Sequence, residues 1–125
     1  MKKEMNNAYT IQLSNERGEV IIADEVIAVI TGLAAMEVEG VASMAGNATK
    51  ELISKLGIKS LSKGVRVEVQ EDVVVIDAAV NLKYGYNIKV VSQKVQEKVK
   101  MAVENMTGLI VSGVNVRVAG IEVTS

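Results

Sequence analysis

A chain of 125 residues, 49% hydrophobic and 23% charged, holds enough apolar material for one folded domain and leaves little room for a second. It contains no His, Cys, Pro, Trp or Phe, which excludes an imidazole base, a thiolate nucleophile, a soft metal ligand and a disulfide, and leaves the core to Val, Ile, Leu, Ala and Met. The formal net charge of −1 gives no general attraction to nucleic acid, but the charge is segregated: residues 1–45 hold three basic and seven acidic side chains (net −4), and residues 46–66 hold five basic and one acidic (net +4).

Residues 1–16 are polar and aperiodic and are expected to form a flexible arm, with room for a short edge strand around Tyr9 to Leu13. A single domain is expected over 17–125. Lys2 and Lys3 are followed by Glu4, Asn6 and Asn7 rather than by an apolar stretch, so no signal peptide is expected. The longest apolar runs, such as Val26 to Ile30, fall far below the ~20 residues needed to span a bilayer. These features predict a soluble, cytoplasmic protein without direct membrane insertion.

Gly18 to Ala23 reads as a short strand. Asp24 stands where a helix N-cap belongs, and Val26, Ile27, Ile30, Leu33 and Ala34 recur at three- and four-residue steps, which predicts an amphipathic helix from 25 to about 36. Val38 to Met44 reads as a strand and Gly46-Asn47 as a loop. Residues 48–56 resemble a second, shorter helix that Gly57 is placed to end, and a lysine-bearing connector runs on to Gly64. Val65, Val67 and Val69 alternate with Arg66, Glu68 and Gln70, the pattern of a half-buried strand. Glu71-Asp72 makes a tight turn into a second strand with Val74, Ile76, Ala78, Val80 and Leu82 on one face and Asp77, Asn81 and Lys83 on the other. Asn87 is a second N-cap candidate. The stripe Ile88, Val91, Val95, Val99, Ala102, Val103 and Met106 then predicts a five-turn helix ended by Gly108. A last strand alternates Val114, Val116 and Val118 with Asn115 and Arg117.

The order β-α-β, short α, β-β-α-β predicts an α+β two-layer sandwich, a mostly antiparallel sheet with the helices on one face, and leaves the strand order open. The strings Val38-Glu39-Gly40-Val41 and Val111-Ser112-Gly113-Val114, one after each main helix, suggest two related strand-helix-strand halves.

No residue set predicts catalysis, a metal site or a cofactor. Asp24, Asp72 and Asp77 read as a cap, a turn residue and an outward strand residue. Ser92 and Ser112 lack a base to activate them, and no glycine-rich phosphate loop is present. The acidic pairs Glu37/Glu39 and Glu71/Asp72 are too sparse to predict a metal. A small RNA-binding module using the basic segment 46–66 is the competing reading. Against it, the sheet face lacks the aromatics on which bases stack, and no Gly-x-x-Gly loop occurs. The lysines of that segment have a plainer reading as solubilising charges. A small-molecule-sensing regulatory domain is a third possibility. Binding to protein partners, self-association included, needs least. The candidate surface is Lys55, Lys59, Lys63, Arg66, Val73, Val75 and Arg117, with the two valines covered either by a partner or by the N-terminal arm.

The stretch Ile30-Thr-Gly-Leu-Ala-Ala-Met-Glu-Val-Glu-Gly-Val41 resembles the first signature of the alkaline shock protein family, the envelope stress response proteins of Gram-positive bacteria. The likeness continues through Gly64 to Val69, Ile76 to Gly85, Val95-Gln96, Met106 to Leu109 and Val114 to Val118, and together covers residues 17–122. It implies a compact α+β domain without an assigned active site and a non-enzymatic role in cell-envelope homeostasis as a scaffold or regulator. It also implies a cytoplasmic location, beside the membrane through a membrane-anchored partner in some members. A link to fatty-acid synthesis through an acetyl-CoA carboxylase subunit follows from the same resemblance. Longer members carry polar tails, whereas this sequence stops at Ser125.

Overall fold

The computed structural model describes residues 11–13, 20–45 and 62–123. Strands β1 (Ile11–Leu13) and β2 (Val20–Ile22) pair antiparallel in a ribbon of their own, with Ile11 opposite Ile22. Helix α1 (Asp24–Met36) and strands β3 (Val41–Met44), β4 (Val65–Gln70) and β5 (Val73–Lys83) follow. Helix α2 (Ile88–Thr107) and strand β6 (Ile110–Glu122) complete the order. The helix expected over 48–56 and its Gly57 stop lie outside the described residues, as does most of the expected arm.

The two described helices begin differently. Asp24, expected as a cap, is the first residue of α1 instead. The N-cap position is Ala23, whose side chain makes no capping bond and whose carbonyl accepts from Val26 at 3.0 Å and Ile27 at 3.4 Å. Asp24 and Glu25 then place carboxylates in the first turn, where the helix dipole favours them. α2 has the expected cap: Asn87 Oδ1 accepts from the Val90 N–H at 3.0 Å. It ends at Gly108, whose φ of +77° suits the left-handed stop that glycine adopts without strain. Val91, Val95, Val99 and Val103 form one buried row along α2. Ile88 and Met106, three residues beyond either end of that row, rotate to its rim and are 49% and 63% exposed.

β5 is the middle of the main sheet. β4 runs antiparallel along its first half, from Gln70↔Val73 to Val65↔Ala78. β3 runs antiparallel along its second half, with Val41 opposite Leu82 and Met44 opposite Val80. β3 and β4 therefore lie end to end along one side of β5, and β6 occupies the other, parallel to it from Val73↔Ile110 to Lys83↔Glu122. Two of the three pairings are antiparallel. The third is parallel because α2 carries the chain from the end of β5 back to the level of its start. The loop between β4 and β5 is the two residues Glu71 and Asp72, with Glu71 at φ +59°.

The halves suggested by the repeated string are not equivalent. β5-α2-β6 is a parallel strand-helix-strand unit, whereas β2 pairs with β1 and not with β3. Gly40 lies in a turn at φ +102°, while Gly113 is inside β6 beside a register shift. β3 starts at Val41 rather than Val38 because the chain leaves α1 through turns, Val38 N–H bonding Ala35 O and Val41 N–H bonding Val38 O.

Both described helices cover the same sheet face. Val74, Ile76, Ala78, Val80 and Leu82 of β5 are buried beneath Ile27, Ile30 and Ala34 of α1 and the valine row of α2. The buried Thr31 hydroxyl donates to Ile27 O at 2.9 Å, so it brings no unsatisfied group into the core.

Glu104 fastens the end of α2 to the start of β6. Its Oε2 accepts from Val111 N–H at 2.9 Å and from Lys100 Nζ at 3.0 Å, and these bonds hold its carboxyl below the usual carboxylate range. A depressed carboxyl stabilises the fold above the unfolded-state pKa near 4.5, and the contribution is lost as pH falls through the folded value. Glu104→Gln is therefore expected to lower the urea midpoint at neutral pH. The gap from the parent chain should narrow as the pH falls below the unfolded-state value and the carboxylate is protonated; a gap that persists undiminished in acid would exclude the charge as its source.

Candidate functional site: the open sheet face

The alternation that turns the valines of β4 and β5 toward the helices turns the intervening residues outward. Reading across the strands, Arg66, Asp77 and Asn115 form one row, because Arg66 pairs with Asp77 and Asp77 with Asn115. The next row holds Ala79 beside Arg117. Ser43 and Asn81 are opposite each other one row further on, and Glu122 lies beside Lys83. Glu68 and Gln70 lie opposite Val75 and Val73 at the other end of the face.

Two features give the face its relief. The first is a hollow of about 550 Å³ whose lining includes Gly64, Arg66, Asp77, Ala79, Asn115 and Arg117. Its floor is low because the small residues Gly64 and Ala79 line it where β3 ends and β4 begins. Ala45 N–H donates to Ala79 O at 2.9 Å, and Ala79 N–H donates to Gly64 O at 2.8 Å. The second is a chain of polar contacts at the far end. Asn81 Nδ2 donates to Ser43 Oγ at 3.0 Å, and Ser43 Oγ donates to Glu122 Oε2 at 2.8 Å.

The charges around the hollow are unevenly satisfied. Asp77 Oδ1 accepts from Asn115 Nδ2 at 2.7 Å. Among the described residues, neither Arg66 nor Arg117 forms an ion pair or hydrogen bond. Two cationic forks are thus presented on either side of a small-residue floor, suited to planar anionic groups such as carboxylates. Among the described residues no group of three or more Asp or Glu is placed to hold a metal ion.

Of the surface residues named from sequence, Arg66 and Arg117 come together at the rim of this hollow. Lys63 is exposed in the turn beside Gly64. Val73 and Val75 lie on the same face, nearer the Glu71 turn, and are half-buried rather than fully exposed. Lys55 and Lys59 lie outside the described residues. Sequence reasoning missed the Asp77–Asn115 pair, the Ser43–Asn81–Glu122 chain and the small-residue floor. The visible signal was the adjacent pair Ala78-Ala79 in an otherwise valine-rich strand, one facing the core and the other the hollow. Sequence reasoning also missed Tyr86, whose hydroxyl donates to Glu39 Oε2 at 3.2 Å; that bond and the negative charge hold its proton above the ordinary tyrosine range.

A model of the alkaline shock protein 23 family, described as having a cell envelope-related function, matches residues 12–123. The chain belongs to that family. The likeness read over residues 17–122 thus holds across nearly the whole sequence. Among relatives of this alkaline shock family chain, YqhY of Bacillus subtilis is 39% identical over 105 residues, covering 84% of this chain and 78% of its own. YloU of the same organism is 36% identical over 118 residues, covering 93% and 98%. A stress response regulator gls24 homolog of Streptococcus pyogenes is 33% identical over 107 residues, which are 85% of this chain and 60% of the relative. A solved MamM CTD variant superposes with a TM-score of 0.50 at 15% identity, over 78% of this chain and 95% of that one, a likeness of fold alone. Among the described residues no helix of this family member is long and apolar enough to cross a membrane.

Proposed function

We propose that this chain is a non-enzymatic scaffold or regulator in the response of the cell envelope to stress, acting through protein partners that dock on the open sheet face. The family description supports the envelope part, and the regulator named among the relatives supports the stress part. The observation that carries the docking surface is the pair of unpartnered guanidinium groups, Arg66 and Arg117, flanking one hollow on a face left open by both helices. The finer forms of this reading are a membrane-anchored protein that holds a cytoplasmic chain beside the membrane, or an acetyl-CoA carboxylase subunit that links it to fatty-acid synthesis. Self-association belongs to the same reading.

The test is a cross-linked pull-down with the full chain, with proteins identified and nucleic acid quantified in one eluate. An envelope protein or a carboxylase subunit is expected as dominant prey. Its yield should drop about tenfold in the double variant Arg66→Glu, Arg117→Glu and persist in Lys55→Glu, Lys59→Glu, Lys63→Glu. Loss only in the lysine variant would move the surface to the basic segment. Abundant salt-sensitive RNA without a dominant protein would replace this reading with the RNA-binding module, although no aromatic side chain lies on the open face among the described residues.

A further inference from the structure

Among the described residues strand β6 is paired on one side only. Its neighbour is β5, and among the described residues no strand pairs with its other edge. Which backbone groups face that edge follows from the two ends of the strand. Ile110 N–H donates to Asp72 O, and Tyr84 N–H donates to Glu122 O, so residues 110 and 122 face β5. Carried through both register shifts, the alternation turns Val111, Val114, Val116, Val118 and Ile121 away from β5.

An edge of this length is a template for another strand, and folded proteins usually blunt it. Here α2 blunts only the first part. Glu104 Oε2 accepts from Val111 N–H, Lys100 Nζ donates to Val111 O at 3.0 Å, and Gln96 Nε2 donates to Val114 O at 3.0 Å. These three side chains stand four residues apart on one helical row. The row continues to Ser92 and Ile88, and there the cover stops. Serine is too short to reach and isoleucine has no polar group. Neither side chain hydrogen-bonds β6 among the described residues. Among the described residues nothing covers the outward N–H and C=O groups of Val116, Val118 and Ile121, which lie beside the unpartnered Arg117 on one sheet face and half-exposed Ile88 at the end of the helical row.

We propose that the open stretch of β6, Val116 to Ile121, receives an extended segment of a partner protein as an added strand, with an acidic residue of that segment beside Arg117. This rests on the reading that the chain works through protein partners, and it names the chemistry of one. Charge decides against a second copy of the same strand: antiparallel pairing about Arg117 or Val118 would bring the two Arg117 side chains opposite or diagonal to each other, a repulsive arrangement. An alternating apolar-acidic segment meets both requirements, with main-chain bonds to the edge and a carboxylate for the guanidinium.

The test is residue-resolved amide exchange on the full chain, with and without the capped peptide Val-Glu-Val-Glu-Val-Glu-Val. In the free protein the amides of Val116, Val118 and Ile121 should exchange much faster than those of Asn115 and Arg117. The peptide should slow the first three at least about tenfold, as main-chain pairing does. A peptide N-methylated at alternate amides should have no such effect. Arg117→Glu should weaken the glutamate peptide about tenfold and favour its lysine counterpart. Val116 and Val118 already as protected as Arg117 in the free chain would mean the edge is closed by the chain itself or by a second copy, and would overturn the proposal. So would β6 amides that do not respond to the peptide, or an N-methylated peptide that binds equally well. If the pull-down still depends on Arg66 and Arg117 in that case, strand addition falls and the partner reading stands. If peptide exchange behaves as expected while Arg66→Glu alone keeps its prey, the hollow drops out of the docking surface and the edge beside Arg117 remains; prey kept by the double variant would overturn both.

Discussion

Substituting alanine for Gly64 is expected to lower folding stability by about 3 kcal/mol or more, through a combination of backbone strain and collision. Gly64 has φ +80°, a region that L side chains adopt at a cost of order 1 kcal/mol or more. A Cβ there would lie 2.9 Å from Ala45 O and 3.1 Å from Ala79 O. These are backbone atoms, and Ala79 O is held by the Ala45 N–H at 2.9 Å, so relief would require moving the junction of three strands. Gly85 supplies the control, since it has φ +97° and nothing within 4 Å of a Cβ. Gly85→Ala should show the conformational cost alone. Urea unfolding of both variants separates the two contributions; equal losses would mean that the strand junction yields and that the hollow's floor is not rigid.

Ile76→Ala is expected to cost about 4 kcal/mol, a large share of the roughly 5–15 kcal/mol available to a domain of this size. Ile76 is fully buried on the helix-facing side of the central strand. The core cluster that holds it is mainly valine and alanine, stiff or short side chains that close a void poorly. Ile76→Val should cost only about 1 kcal/mol, and Ile121→Ala, at a position 43% exposed, less than either core change. Thermal and urea melts of the three variants test the gradient. A loss at Ile76→Ala no larger than that at Ile121→Ala would show that the core relaxes around the cavity.

Much of the fold was legible because the chain's local signals are pure. The period-two valines of 65–69 and 74–82 assigned strands and their helix-facing sides together, although Val69 at the end of β4 is exposed, and Asn87 and Gly108 marked both ends of α2. Asp24 misled because Asp is equally at home at a cap and in the first turn, and only the hydrogen bonds to Ala23 O distinguish them. The repeated Val-x-Gly-Val string misled because a four-residue match says nothing about which strand pairs with which. The site was partly legible for the same reason as the strands: the alternation that turns valine toward the helices turns Arg66, Val73, Val75 and Arg117 to the other face.

The linear chain therefore determined the element types, the valine core, the absence of imidazole and thiol chemistry, and the list of residues on the outer face, since each depends on near neighbours and on composition. Tertiary structure alone decided that β6 joins β5 in parallel, that Arg66 and Arg117 flank one hollow, and that the polar row of α2 covers half of an open edge. Those arrangements depend on strands and helices far apart in sequence, and the register between such elements is set by packing across the whole sheet rather than by any local pattern.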